Sequence, residues 1–168
     1  MCAIILICTS AIGVNIYKNS LRKLKLLEAF CNMFFVFNAY ITIEHCEIRE
    51  CLRRYIAKKD AAGPILENAL QLMEENRRMN FSAAMKQVLD AFAEKNTGTL
   101  EGRDAELIVH TCGEIDGLQR GYISEFLNKT CELLEKRIQE CREKDVKNGK
   151  VFNKVGVLIG IAIIILII

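Results

Sequence analysis

Residues 116–144 read DGLQRGYISEFLNKTCELLEKRIQECREK, and their pattern decides the fold class. Leu118, Tyr122, Phe126, Cys131, Leu134, Ile138 and Cys141 recur at helical spacing and predict one apolar stripe. Glu125 with Lys129, Glu132 with Lys136, and Glu140 with Lys144 are favourable pairs four residues apart on the opposite face. Asp116 followed three residues later by Gln119 matches a capping box, so both are assigned to the start of this helix.

Working backwards, the same reading predicts five more helices. Residues 21–39 carry Leu24, Leu27, Cys31 and Phe34 on one stripe, and residues 40–59 carry Ile41, Glu44, Ile48, Cys51 and Tyr55 on a mixed face. Pro64 suits a first helical turn and starts a helix through Arg77, with Leu66, Ala69, Leu70 and Met73 inward. Phe81, Met85, Val88, Leu89 and Phe92 form the cleanest amphipathic repeat, and residues 100–113 hold a short helix with Leu107, Ile108 and Cys112. One proline and no tryptophan leave few signals for an all-β fold. The expected fold is all-α: an antiparallel bundle of about six helices over residues 18–150.

Outward from the bundle, the chain loses all charge. The 168 residues include 23 Lys and Arg and 21 Asp and Glu, all between Lys18 and Lys154. Residues 1–17 are uncharged and reach about 25 Å as a helix, close to a hydrocarbon core of ~30 Å. Their basic neighbours, Lys18, Arg22, Lys23 and Lys25, follow the apolar run instead of preceding it, which argues for an uncleaved anchor over a signal peptide. Residues 151–168 end in VGVLIGIAIIILII, about 27 Å as a helix, with Lys154 able to snorkel. Two transmembrane helices in a lipid bilayer are therefore expected. Arg142, Lys144, Lys147, Lys150 and Lys154 precede the second, so both basic clusters place residues 18–150 in the cytoplasm. Gly156 and Gly160 in the second anchor, and Thr9 and Gly13 in the first, have the four-residue spacing of transmembrane packing faces.

Residues 29–43, AFCNMFFVFNAYITI, are also uncharged but reach only about 22 Å. They read as a central bundle helix, with a membrane- or partner-contacting surface as the competing reading. The net charge of +2 supplies no broad basic surface, which discounts nucleic acid as a partner. The eight cysteines fall mostly at apolar helical positions and read as reduced thiols.

Reactive constellations are not found. No phosphate-binding loop, nucleophile elbow or HExxH helix occurs in the sequence. His45, Cys46 and Cys51 are the densest set of metal-ligand types, but the adjacent His45 and Cys46 would point about 100° apart on a helix. His110 near Cys112 is the only other such pair containing histidine. Glu74 and Glu75 sit on a polar helix face, where solvation explains them. The chain is therefore read as a non-enzyme without catalytic residues, metal or cofactor.

Leu100, Asp104 and Leu107, then Gly113-x-x-Asp116-x-x-Gln119, a long charged helix, and Phe152-Asn-Lys-Val-Gly156-Val-Leu-Ile-Gly160 resemble the stage III sporulation protein AB family of endospore-forming bacteria. The anchor, basic residues and leucine-spaced helix of the N-terminal part are similar to that family's layout. The sequence departs from the family pattern at residues 35–42, FVFNAYIT, where a Pro-Leu pair would be expected. The resemblance implies a part in endospore formation, in the mother-cell membrane around the forespore, within a complex that helps form a channel between the two cells. It implies a bundle similar to the cytoplasmic domain of the F-type platform protein of type II secretion and type IV pilus systems. The implied partners are a cytoplasmic ATPase like stage III sporulation protein AA and other membrane subunits of the channel complex, with a homo-oligomer left open. A membrane-anchored helical sensor or adaptor unrelated to secretion is the alternative reading.

Overall fold

The computed structural model describes residues 2–96, 99–100, 102–117 and 120–146. Among them the chain is all-helical, with six α-helices and no strand: α1 (Cys2–Thr42), α2 (Ile48–Ile56), α3 (Gly63–Glu75), α4 (Phe81–Lys95), α5 (Gly102–Gly117) and α6 (Arg120–Glu140). A π-helical stretch, Cys141–Val146, follows α6. Residues 151–168, with Gly156 and Gly160, lie outside the described residues, as does Gln119.

The chain divides into two compact units, residues 25–136 and residues 1–24 with 137–168. These limits fall inside residues 18–150, the stretch that the sequence assigns to the bundle. In the smaller unit the Cys141 Sγ lies 3.9 Å from the Ser20 carbonyl oxygen, and Arg137 pairs with Glu140 at 2.8 Å.

In the larger unit α2 packs on α3, α3 on α4, and α4 on α5. The part of α1 within this unit supplies the largest share of its interior: Phe30, Met33, Phe34 and Phe37 have no exposure, and Leu26, Leu27 and Ile41 are buried. Over Tyr17–Thr42 α1 is long and apolar enough to cross a membrane by length and composition. Those buried aromatic residues nonetheless make residues 30–41 an interior helix, covered on most sides, with Phe35 (68% exposed) as its outer edge. The Phe37 ring meets Tyr55 edge-on and Phe81 at a tilt, each with centroids 6.2 Å apart, so one side chain joins α1, α2 and α4.

Several boundaries differ from the sequence reading. The break expected between residues 39 and 40 falls at 43–47, because FVFNAYIT holds neither Pro nor Gly to stop a helix. The chain turns instead at His45, whose φ of 57° lies in the left-handed region, and the Cys46 N–H donates back to the Tyr40 carbonyl at 2.9 Å. His45 and Cys46 are thus loop residues, not helical neighbours. Pro64 sits in the first turn of α3 as expected.

Over its first half the apolar stripe of α6 is turned by one residue, whereas Leu134 and, after the helix, Cys141 are buried as the spacing predicts. Ile123, Leu127, Thr130 and Leu134 are buried, whereas Tyr122 is 65% exposed and Phe126 and Cys131 are half-buried. Ile123, Leu127 and Leu134 take the interior, Tyr122 and Leu133 face outward, and Phe126 sits at the margin with its ring 6.2 Å from that of His110. The Glu125–Lys129 pair forms at 2.7 Å.

Candidate functional site

Two junctions fix the helices around the surface that is open for contact. The first is Asp60, in the break before α3. Its Oδ1 accepts from the N–H groups of Ala62 and Gly63 at 3.0 and 3.1 Å, satisfying donors at the start of α3 that have no partner within the helix. Its Oδ2 lies 2.5 Å from the Tyr55 hydroxyl. That hydroxyl also lies 2.9 Å from the Ala29 carbonyl and accepts from Asn32 Nδ2 at 3.2 Å. Burial, with the Asp60 charge beside it, pushes the Tyr55 phenol above its ordinary range, so Tyr55 stays a neutral donor. At the other end of α3, Arg49 Nη2 donates to the carbonyls of Met73 and Arg77 at 3.1 and 3.3 Å, a cation at the negative end of the helix dipole.

The second junction gathers residues of the GxxD motif. Gly113 and Asp116, three apart, lie on one face of α5 and meet Ser82 in the first turn of α4. The Ser82 N–H donates to Asp116 Oδ2 at 3.2 Å, and the Ser82 hydroxyl donates to the Val109 carbonyl at 3.2 Å. A Cβ on Gly113 would stand 3.3 Å from Ser82 Oγ, so glycine permits this approach. Asn80 takes the N-cap position of α4 and accepts from the Ala83 N–H at 2.9 Å. Asp116 therefore acts at the N-terminus of α4 from within α5, where the sequence reading placed it as the cap of the following helix. Burial raises the Asp116 carboxyl above its ordinary value, against the lowering by the Ser82 and Phe81 N–H groups. Asp116→Ala should cost about 0.5–2 kcal/mol of stability, while Asp116→Asn, which keeps an acceptor, should cost little. Thermal unfolding of both variants by circular dichroism checks this, and equal losses would reject the capping role.

Between α3 and α4 lies an open groove of about 410 Å³. Its apolar walls come from Pro64, Ile65, Leu72, Val88, Ala91 and Phe92, and its rim carries Asn68, Gln71, Glu75, Gln87 and Lys95. Phe92 belongs to the predicted inward stripe of α4 but is only half-buried, because the groove leaves one side of it uncovered. The reading missed this surface, since a stripe shows which side faces inward but not how far two helices splay. Arg49, Arg53, Glu74 and Arg77 line a second, polar cleft, in which Arg53 pairs with Glu74 at 2.8 Å.

Chemistry-bearing residues are dispersed. Among the described residues no group of three or more His, Cys, Asp or Glu is placed to hold a metal ion. His110 is exposed, 3.7 Å from Glu114, and Glu74 is held by Arg53. Burial pushes the Cys51 thiol up to about 12 and raises Cys112 as well, which makes both poor nucleophiles near neutral pH. Thr9 and Gly13 lie within α1.

Among the described residues the chain is all-helical, with an apolar N-terminal helix, an aromatic interior and an open groove between α3 and α4. The family model for stage III sporulation protein AB matches residues 1–168, and the chain belongs to that family. Membership gives it a role in sporulation. No curated protein and no solved structure matches the chain.

Proposed function

We propose that the protein is a non-enzymatic membrane component of the channel complex between mother cell and forespore, acting as a platform on which other parts assemble. The observation that carries this reading is the family match along the whole chain, residues 1–168, on a sequence whose charges are confined between two apolar ends. In this proposal residues 1–17 and 151–168 are transmembrane anchors in the mother-cell membrane. The helices between them form an antiparallel bundle in the cytoplasm, on the side marked by the basic clusters. The bundle engages a cytoplasmic ATPase like stage III sporulation protein AA, and the anchors engage membrane subunits of the complex. Neither a cofactor nor a metal is needed.

Gly156 and Gly160 test the anchor's part in assembly. In lipid, helix association depends on close packing, and glycines four apart open a face for a neighbouring backbone. Replacing both with leucine fills that face while keeping the segment apolar. Sporulation should then fail, with the protein still in the membrane fraction. Normal sporulation by the double variant would reduce the segment to an anchor.

A further inference from the structure

We infer that Cys31 and Cys131 form a dithiol site that closes as an intramolecular disulfide between α1 and α6 on reaction with an oxidised low-molecular-weight disulfide. The sulfur of Cys31 lies 4.0 Å from the Cys131 carbonyl oxygen, and the sulfur of Cys131 lies 3.7 Å from the Cys31 carbonyl oxygen. This reciprocity places the two side chains abreast in one gap, each reaching to the facing backbone. The Cys131 thiol is also a side-chain hydrogen-bond partner of Cys31. Their positions are 100 residues apart, so the fold alone creates the pair. Both are half-buried, open enough for a small reagent, whereas Cys51, Cys112 and Cys141 are buried. Cys46 is half-buried too, but its sulfur lies 3.8 Å from Glu44 Oε2 and not against the backbone of a facing cysteine.

The chemistry is ordinary thiol–disulfide exchange. One protein thiolate attacks a sulfur of the reagent, forms a mixed disulfide and expels one small thiolate. The facing protein thiolate then attacks the protein-bound sulfur of that mixed disulfide, forms the Cys31–Cys131 bond and expels the second small thiolate. The two protein thiols lose two protons and two electrons in all, and the reagent disulfide is reduced to two thiols. In a reducing compartment such a bond is transient and reports the redox state. Closing it fastens α1 to α6 across most of the larger unit.

The test uses the full-length chain in detergent with oxidised glutathione, followed by alkylation, proteolysis without reduction, and mass spectrometry. The peptide of Cys31 should be recovered joined to that of Cys131, two hydrogens lighter than the separate thiol peptides, and the link should vanish on reduction. In Cys131→Ser, Cys31 should instead retain glutathione. Recovery of both cysteines alkylated, of both carrying glutathione without a link, or of links scattered among the other cysteines would overturn the assignment. If Cys131→Ser does not fold, the peptide map of the unmodified sequence decides alone.

Discussion

Phe37→Asp should abolish the folded state, whereas Phe35→Asp, two residues away on the same helix, should be tolerated. Phe37 has no exposure and touches the rings of Tyr55 and Phe81, so aspartate there leaves a cavity and buries an uncompensated charge. The combined cost should exceed about 4–5 kcal/mol, a large part of the stability of a domain this size. Phe35 is 68% exposed, and its replacement should stay within about 0.5 kcal/mol. The pair separates two readings of the uncharged segment 29–43. A helix covered by its own chain at Phe37 and open at Phe35 gives opposite outcomes, while a segment that meets lipid all round is damaged equally at both positions. Helical signal and its thermal transition in the full-length chain report the difference.

The next largest effect is expected at Tyr55. Its truncation to alanine removes the largest fully buried side chain together with its contacts to Phe37, and should cost about 3–5 kcal/mol. Tyr55→Phe keeps the ring and isolates the hydroxyl. Asp60 Oδ2 and Asn32 Nδ2 then lose their shared partner, for a loss of about 1–3 kcal/mol. Asp60→Asn should be milder, since its amide oxygen still accepts from the N–H groups of Ala62 and Gly63 and the phenol can turn to the Ala29 carbonyl. A Tyr55→Phe variant as stable as the parent would mean that the hydroxyl does not tie α2 to α1 and the α3 start.

Where a helix has a strong apolar period and defined ends, its place was legible in the sequence. Helix α4 runs from Phe81 to Lys95 with Phe81, Met85, Val88 and Leu89 buried, and α3 begins around Pro64, because period and punctuation agree there. The stripe of α6 was harder to read, since Tyr122 and Ile123 are both apolar enough to lead it and only the facing helices decide between them. The start of α2 differs from the sequence expectation because residues 35–42 carry no residue that stops a helix, while the turn is made by His45 in a left-handed conformation that its residue type does not announce. Asp116 illustrates a different limit. An acid followed three residues later by glutamine is a local pattern, but Ser82, the donor it meets, is 34 residues away in the chain. The Cys31–Cys131 pair and the α3–α4 groove are likewise products of tertiary packing. No local period contains them.

The central claim is that this member of the stage III sporulation protein AB family works by holding partners together at a membrane. The most direct measurement is affinity purification of the tagged full-length chain from detergent-solubilised membranes of sporulating cells, with the recovered proteins identified by mass spectrometry. The account predicts co-purification of a cytoplasmic ATPase of the secretion type along with membrane subunits of the channel complex, and loss of the membrane subunits when Gly156 and Gly160 are both leucine. Recovery of the chain from the membrane without any ATPase, together with a shift of its thermal unfolding by a small ligand, would contradict it and favour a membrane-anchored sensor.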